Sequence, residues 1–317
     1  MSFDELKSYI RNLEVVSSWP QMLALVERMG HRETLSVWEH PLSACRAVGG
    51  VESTAFPAAA AVLCSVISIH LVDDMLDEDP RGEHLRIGIG PAANLALAFQ
   101  AAGHLLLERA AAPAGVRAAL QESFARMSLA TCYGQGLDAR ELANEQEYWR
   151  TVEAKTPPLF AEALRMGALL GGAPAETAAR LARLGHVLGL FIQVNDDLTD
   201  VLETPARADW RRRSNNLALL YAMTAAHAGR EDFLRLSLRF DDPEALAAAQ
   251  RILFRCGAVS YCTLKLVEFS RELQEIAAGL PLRDPEPVER LVTAHLRPLH
   301  QLLERVGVED PATLALC

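Results

Sequence analysis

Residues 58–77 read AAAAVLCSVISIHLVDDMLD, and residues 181–203 read LARLGHVLGLFIQVNDDLTDVLE. In both, a long apolar run ends in the pattern Asp-Asp-x-x-Asp. An uninterrupted apolar stretch of this length, rich in Ala and Leu, predicts a buried helix and not a strand. Aspartates four apart share one helix face, so Asp73 pairs with Asp77 and Asp196 with Asp200. Like charges at that spacing cost a few tenths of a kcal/mol on an exposed helix. Facing an interior cleft, they cost several kcal/mol per ion. Carboxylates placed twice at the end of an apolar helix therefore call for a cation. Oxygen-only ligands suit Mg²⁺, which keeps several waters and often bridges to substrate phosphates. Asp241-Asp242 is a useful contrast: Pro243 follows, no third Asp stands at the right place, and helix capping accounts for the pair.

Outward from these two stretches the signal stays helical. Apolar residues recur at helical spacing in Leu95–Leu107, Leu159–Leu170, Ala178–Leu190 and Leu264–Ile276. Asp242-Pro243 and Asp310-Pro311 read as an N-cap followed by the first helical position. Gly171-Gly172, Gly229 and Gly279 read as stops. There is no alternating β-branched run, hairpin turn, linker or repeat. The expectation is one all-α domain, residues 1–317, of about ten or more helices.

The 317 residues are 50% hydrophobic and 23% charged, which fits a globular protein with a large core. A net charge of −10 argues against nucleic-acid binding, which needs a positive footprint. The six cysteines form no CxxC pair or zinc spacing, as expected in a reducing cytoplasm. The start, MSFDELKSYI, does not read as a signal peptide. Ala58–Val72 is too short and too polar for a membrane span, which needs about 20 apolar residues.

Further motifs join the aspartates. Gly134-Gln135-Gly136-Leu137-Asp138, Tyr148 with Lys155-Thr156, Phe191-Ile192-Gln193 before Asp196-Asp197, and Asn216–Ala222 stand in a consistent order over about residues 50–225. Together they resemble the trans-isoprenyl diphosphate synthase, or polyprenyl synthetase, family. The resemblance implies a helical bundle of the isoprenoid synthase type, with the two Asp motifs facing each other across an apolar cavity. It further implies three Mg²⁺ ions held by Asp73, Asp74, Asp77, Asp196, Asp197 and Asp200 against the diphosphate of an allylic prenyl substrate. Asp73, Asp77, Asp196 and Lys155 would carry catalysis. Arg81, Lys155, Gln193, Arg211 and Arg212 would contact the diphosphate, and the protein would be a homodimer. For Gln193, packing between helices is an equal alternative.

The sequence also departs from that family. The family's Gly-Lys-Arg stretch, which holds a second diphosphate, is replaced by Ser36-Val37-Trp38-Glu39-His40-Pro41-Leu42. Val66 stands where the family has His, and Arg81-Gly82 shortens its Arg-Arg-Gly. The Gly-Lys after the second motif is missing, although Arg211–Arg213 lie nearby. Charge-assisted hydrogen bonds are worth about 1.5–3 kcal/mol each, so losing two or three weakens isopentenyl diphosphate binding by orders of magnitude. The expectation is an enzyme that ionises an allylic diphosphate of fifteen or twenty carbons, since Ser68 and Ile69 put no bulky aromatic before Asp73. The prenyl cation would pass to another acceptor, such as an aromatic ring or a peptide side chain. Alternatives are a terpene cyclase, ordinary chain elongation, or a regulatory subunit, which two intact Asp motifs argue against. Trp38 reads first as a core anchor. It could also fill the vacated pocket, stack on an aromatic acceptor, or face a cation with its π system.

Overall fold

The computed structural model describes residues 2–29 and 37–305. Among them there are sixteen α-helices, joined by short turns and 3₁₀ segments, and no strand. The first group is α1 (Phe3–Arg11), α2 (Glu14–Ser17), α3 (Pro20–Met29), α4 (His40–Ala47), α5 (Phe56–Leu76) and α6 (Glu83–Ile87). The middle group is α7 (Ile89–Glu108), α8 (Ala114–Asp138), α9 (Glu145–Lys155), α10 (Pro157–Leu170) and α11 (Ala175–Leu202). The last is α12 (Leu217–Thr224), α13 (Arg230–Leu236), α14 (Pro243–Arg255), α15 (Ala258–Ala278) and α16 (Glu286–Arg305).

The quoted apolar stretch becomes α5, a 21-residue helix apolar on every side. Such a helix has no face to give to water and must be enclosed. By length and composition it could cross a membrane, but 78% of its apolar window is buried in the fold. It packs chiefly on α7 and is also touched by α1, α4, α8 and α10. The second stretch becomes α11, of 28 residues, which packs along α10 and α15. Gly189 makes the first contact possible, because a Cβ there would overlap the Pro157 backbone. The buried side chains of all these helices form one connected core.

Asp242 does cap α14, its Oδ1 accepting from Glu244 N at 3.0 Å. Gly171 and Gly279 do end α10 and α15. Gly229 does the opposite of what was expected: α12 ends earlier, at Thr224, and Gly229 opens α13. Asp310-Pro311 and Ser36 lie outside the described residues. The helical axes bring the C-terminal ends of α5 and α11 to one mouth, which is closed by the irregular segment 203–216.

Candidate active site

The first motif ends α5. Asp77 is its C-cap, with its N–H donating to the Asp73 carbonyl at 2.8 Å, so the two side chains stay on one face as the spacing requires. Asp73 Oδ1 accepts from Gln135 Nε2 at 2.6 Å and lies 3.6 Å from Lys155 Nζ. Asp77 Oδ1 accepts from Arg212 Nη1 at 2.6 Å. Burial first, and then the Asp73 charge, push the Asp77 carboxyl up to about 6, in spite of Lys155 and Arg212. Asp74 is half-buried, one step round the helix, within the field of Arg81.

Lys155 reaches this point because α9 lies directly on α8. A Cβ at Gly134 would overlap the Lys155 backbone. Its ammonium is 2.5 Å from Asp138 Oδ2. Burial alone would favour the neutral amine, but Asp73 and Asp138 outweigh it and hold the pKa above the usual lysine range. Asn215 Nδ2 in turn donates to Asp138 Oδ1 at 3.0 Å and to the Asp138 carbonyl at 2.6 Å.

The second motif divides into two roles. Asp196 is exposed and Asp200 half-buried. Asp196 shows a good part of its surface to solvent, yet the surrounding protein still pushes its carboxyl up to about 6, burial being the cause. Asp200 is pushed up to about 7 by burial and then by the charges of Asp209 and Asp196. Asp197 is different: it is 3% exposed and its oxygens are already occupied. Oδ2 accepts from Tyr148 Oη at 2.6 Å and from Leu217 N at 2.9 Å, and Oδ1 accepts from Gln193 Nε2 at 3.0 Å. Burial pushes it up to about 7, against the pull of these three donors. Gln193 also accepts from Thr156 Oγ1 at 2.6 Å, so its amide is spent on packing α11 against the α9–α10 junction. Asp197 and Gln193 thus take part in packing α11, and both also line the innermost cleft.

The expected arginines also separate. Arg81 is 73% exposed and paired with Asp79 in its own turn, with Nη2 to Oδ2 at 3.0 Å. Arg211 is exposed and lines the cleft. Arg212 crosses the mouth to Asp77. Arg213 turns away to Ser237 Oγ at 2.9 Å. The innermost cleft, about 120 Å³, is lined by Asp77, Asp138, Lys155, Gln193, Asp197, Asp209, Arg211, Arg212 and Asn215. It adjoins an outer groove of about 430 Å³ that includes Arg81, Arg207 and Phe240.

Asp138 and Asp209 were not singled out from sequence. Asp138 sits inside a quoted motif, and a buried lysine needs an acid, but nothing local pairs it with Lys155. Asp209, which accepts from Asn216 Nδ2 at 2.7 Å, lies in an irregular segment with no periodicity to place it.

Oxygen donors predominate in the cleft, and carboxylates outnumber the cations facing them. Burial is the main cause that raises Asp77, Asp196 and Asp200, and neighbouring carboxylates add to it; oxygen donors of this kind suit a hard divalent cation. Among the described residues, no three His, Cys, Asp or Glu side chains are arranged to hold an ion unaided.

The polyprenyl synthetase family model matches residues 42–253, about two-thirds of the chain. The chain belongs to the polyprenyl synthetase family. This polyprenyl synthetase is 30% identical over 255 residues to a short chain isoprenyl diphosphate synthase of Methanothermobacter thermautotrophicus, covering 74% of the chain and 76% of that protein. It is 33% identical over 152 residues to a geranylgeranyl diphosphate synthase of Methanosarcina mazei, covering 45% of the chain and 46% of that protein. In fold it is similar to a Caulobacter crescentus polyprenyl synthase solved with calcium and isoprenyl diphosphate. That likeness has a TM-score of 0.79 at 21% identity and covers 93% of each chain. A geranylgeranyl pyrophosphate synthetase from Pyrococcus horikoshii gives a TM-score of 0.78 at 20% identity, over 93% and 97% of the two chains.

Proposed function

We propose that this polyprenyl synthetase ionises an allylic prenyl diphosphate with Mg²⁺ and transfers the prenyl group to an acceptor other than isopentenyl diphosphate. The observation that carries the second half is the packing of residues 37–40. Val37 is 4% and Trp38 7% exposed, and Trp38 lies against Phe3 with ring centroids 6.2 Å apart. His40 is buried beside Phe160 at 5.3 Å. Buried Val37 and Trp38 thus stand where the family resemblance calls for lysine and arginine, and the cations nearby are Arg46, Arg290 and Arg297, which line a pocket with Glu39 and His40.

Asp73, Asp77, Asp196 and Asp200 would hold the metal ions, together with Asp197, which lines the innermost cleft and is held by Tyr148, Leu217 and Gln193. Bound ions supply positive charge where the departing diphosphate becomes more negative. Lys155, Arg211 and Arg212 would bind its oxygens. Gln135 and Asp138 orient Asp73 and Lys155. The apolar surfaces of α5, α7 and α8 would take the prenyl tail and exclude water from the cation.

The names of the relatives favour a second reading, ordinary chain elongation. Purified protein with Mg²⁺ and ten-, fifteen- and twenty-carbon allylic diphosphates, with and without isopentenyl diphosphate, separates the two. Lengthened prenyl diphosphate would overturn the proposal. A hydrocarbon or terpene alcohol without co-substrate would make the enzyme a cyclase. Diphosphate release that depends on an added aromatic acceptor supports it. The homodimer is part of the same proposal. Leu97 and Leu105 on α7, with Leu129 and Tyr133 on α8, are exposed on neighbouring helices and give a partner an apolar face.

A further inference from the structure

Two of the chain's own cations sit on the first motif, and they differ in what each would keep if a metal ion arrived. This difference matters only if the metal-and-diphosphate reading above holds. Lys155 lies 3.6 Å from Asp73 but 2.5 Å from Asp138, which Asn215 holds in place, so it keeps an acid partner whatever happens to Asp73. Arg212 has one carboxylate, Asp77 at 2.6 Å, and one carbonyl, that of Leu76 at 2.6 Å.

The backbone around Arg212 is pinned on both sides. Trp210 is fully buried, with its ring 6.3 Å from that of Phe233. Arg213 is bonded to Ser237, Asn215 to Asp138, and Asn216 donates to the Asp197 carbonyl at 2.8 Å. What is left free to change is the Arg212 side chain, whose guanidinium already borders the cleft that holds Lys155.

We propose that Arg212 is an exchangeable counter-cation: it neutralises Asp77 until a divalent ion takes that carboxylate, and is thereby released to the diphosphate oxygens. A dication outcompetes a monocation for one carboxylate, and a diphosphate offers guanidinium a bidentate acceptor in return. Metal and diphosphate binding are then coupled through one side chain, and the coupling is reciprocal.

The test is direct binding to the full chain, with Mn²⁺ followed by its free-ion paramagnetic signal and inorganic diphosphate followed by calorimetry. R212Q should bind Mn²⁺ alone about tenfold more tightly than wild type, and diphosphate at saturating Mn²⁺ about tenfold more weakly, the size of one lost charge-assisted contact. R212K keeps the charge but loses the fork, and should fall between the two in both measurements. It also keeps the comparison readable if R212Q does not fold. Weakening of both ligands would make Arg212 merely structural, and no change in either would make it a bystander. Both results overturn the exchange. If the wild type takes up no Mn²⁺ even with diphosphate present, the metal-site reading itself fails, which is a separate outcome from Mn²⁺ binding that ignores Arg212.

Discussion

A single step along α11 separates two kinds of aspartate. Asp196 is exposed, whereas Asp197 is buried and bonded to Tyr148, Leu217 and Gln193. Their replacement should therefore fail in different ways. Asp73→Ala and Asp196→Ala should abolish turnover with helicity by circular dichroism unchanged. Asp197→Asn should cost about 1–3 kcal/mol in urea denaturation, because one of three donors then meets an NH₂ group. The raised carboxyls also predict a pH dependence. Asp77 and Asp196 stand at about 6 and Asp200 at about 7 in the folded chain. Unfolded aspartates titrate near about 4, so between these values the folded chain binds more protons than the unfolded one. Their contribution is then fully present below about pH 4 and is lost as pH rises through 6 to 7. The metal-free chain should be more stable to urea at pH 5.5 than at pH 8 as far as these groups decide it. Mg²⁺ with diphosphate should remove most of that difference, and a loss that is unaffected by the ions would count against their site.

At the scale of elements, helix type was legible because it depends on neighbours three and four positions away. Asp242 shows this, since its cap and Pro243 are adjacent in sequence. Gly229 shows the limit: glycine both ends and begins helices, and only the early end of α12 at Thr224 decided between them. How closely two helices approach was not legible either. Gly134 was read as part of a motif, but its physical role is to let α9 lie on α8 so that Lys155 reaches Asp73 and Asp138. Gly134→Ala should destabilise by about 1–3 kcal/mol, as overpacking does. It should also lower activity beyond that loss, because the whole Lys155 backbone must shift. Denaturation and initial rates measured on the same preparation would check both.

For the whole molecule, α5 shows how an apolar helix is judged by its surroundings. Its composition would suit a bilayer, but α7, α4, α10, α1 and α8 enclose it. The exposed leucines of α7 and α8 have no such cover among the described residues. Leu129→Arg, on the outer face of α8 at 75% exposure, should halve the mass found by light scattering without changing the circular dichroism spectrum. A wild-type chain that is monomeric at micromolar concentration would remove the case for a homodimer.

The helices and the two aspartate clusters could be read from the sequence, because each depends on residue type or on spacing within one or two turns. The packing of the helices leaves Asp196 exposed and buries Asp197, since successive residues on a helix point about 100° apart. That packing alone also joined Arg212 to Asp77 and Lys155 to Asp138. Those partners are far apart along the chain and meet only where packed helices bring their ends together, and no local spacing encodes that.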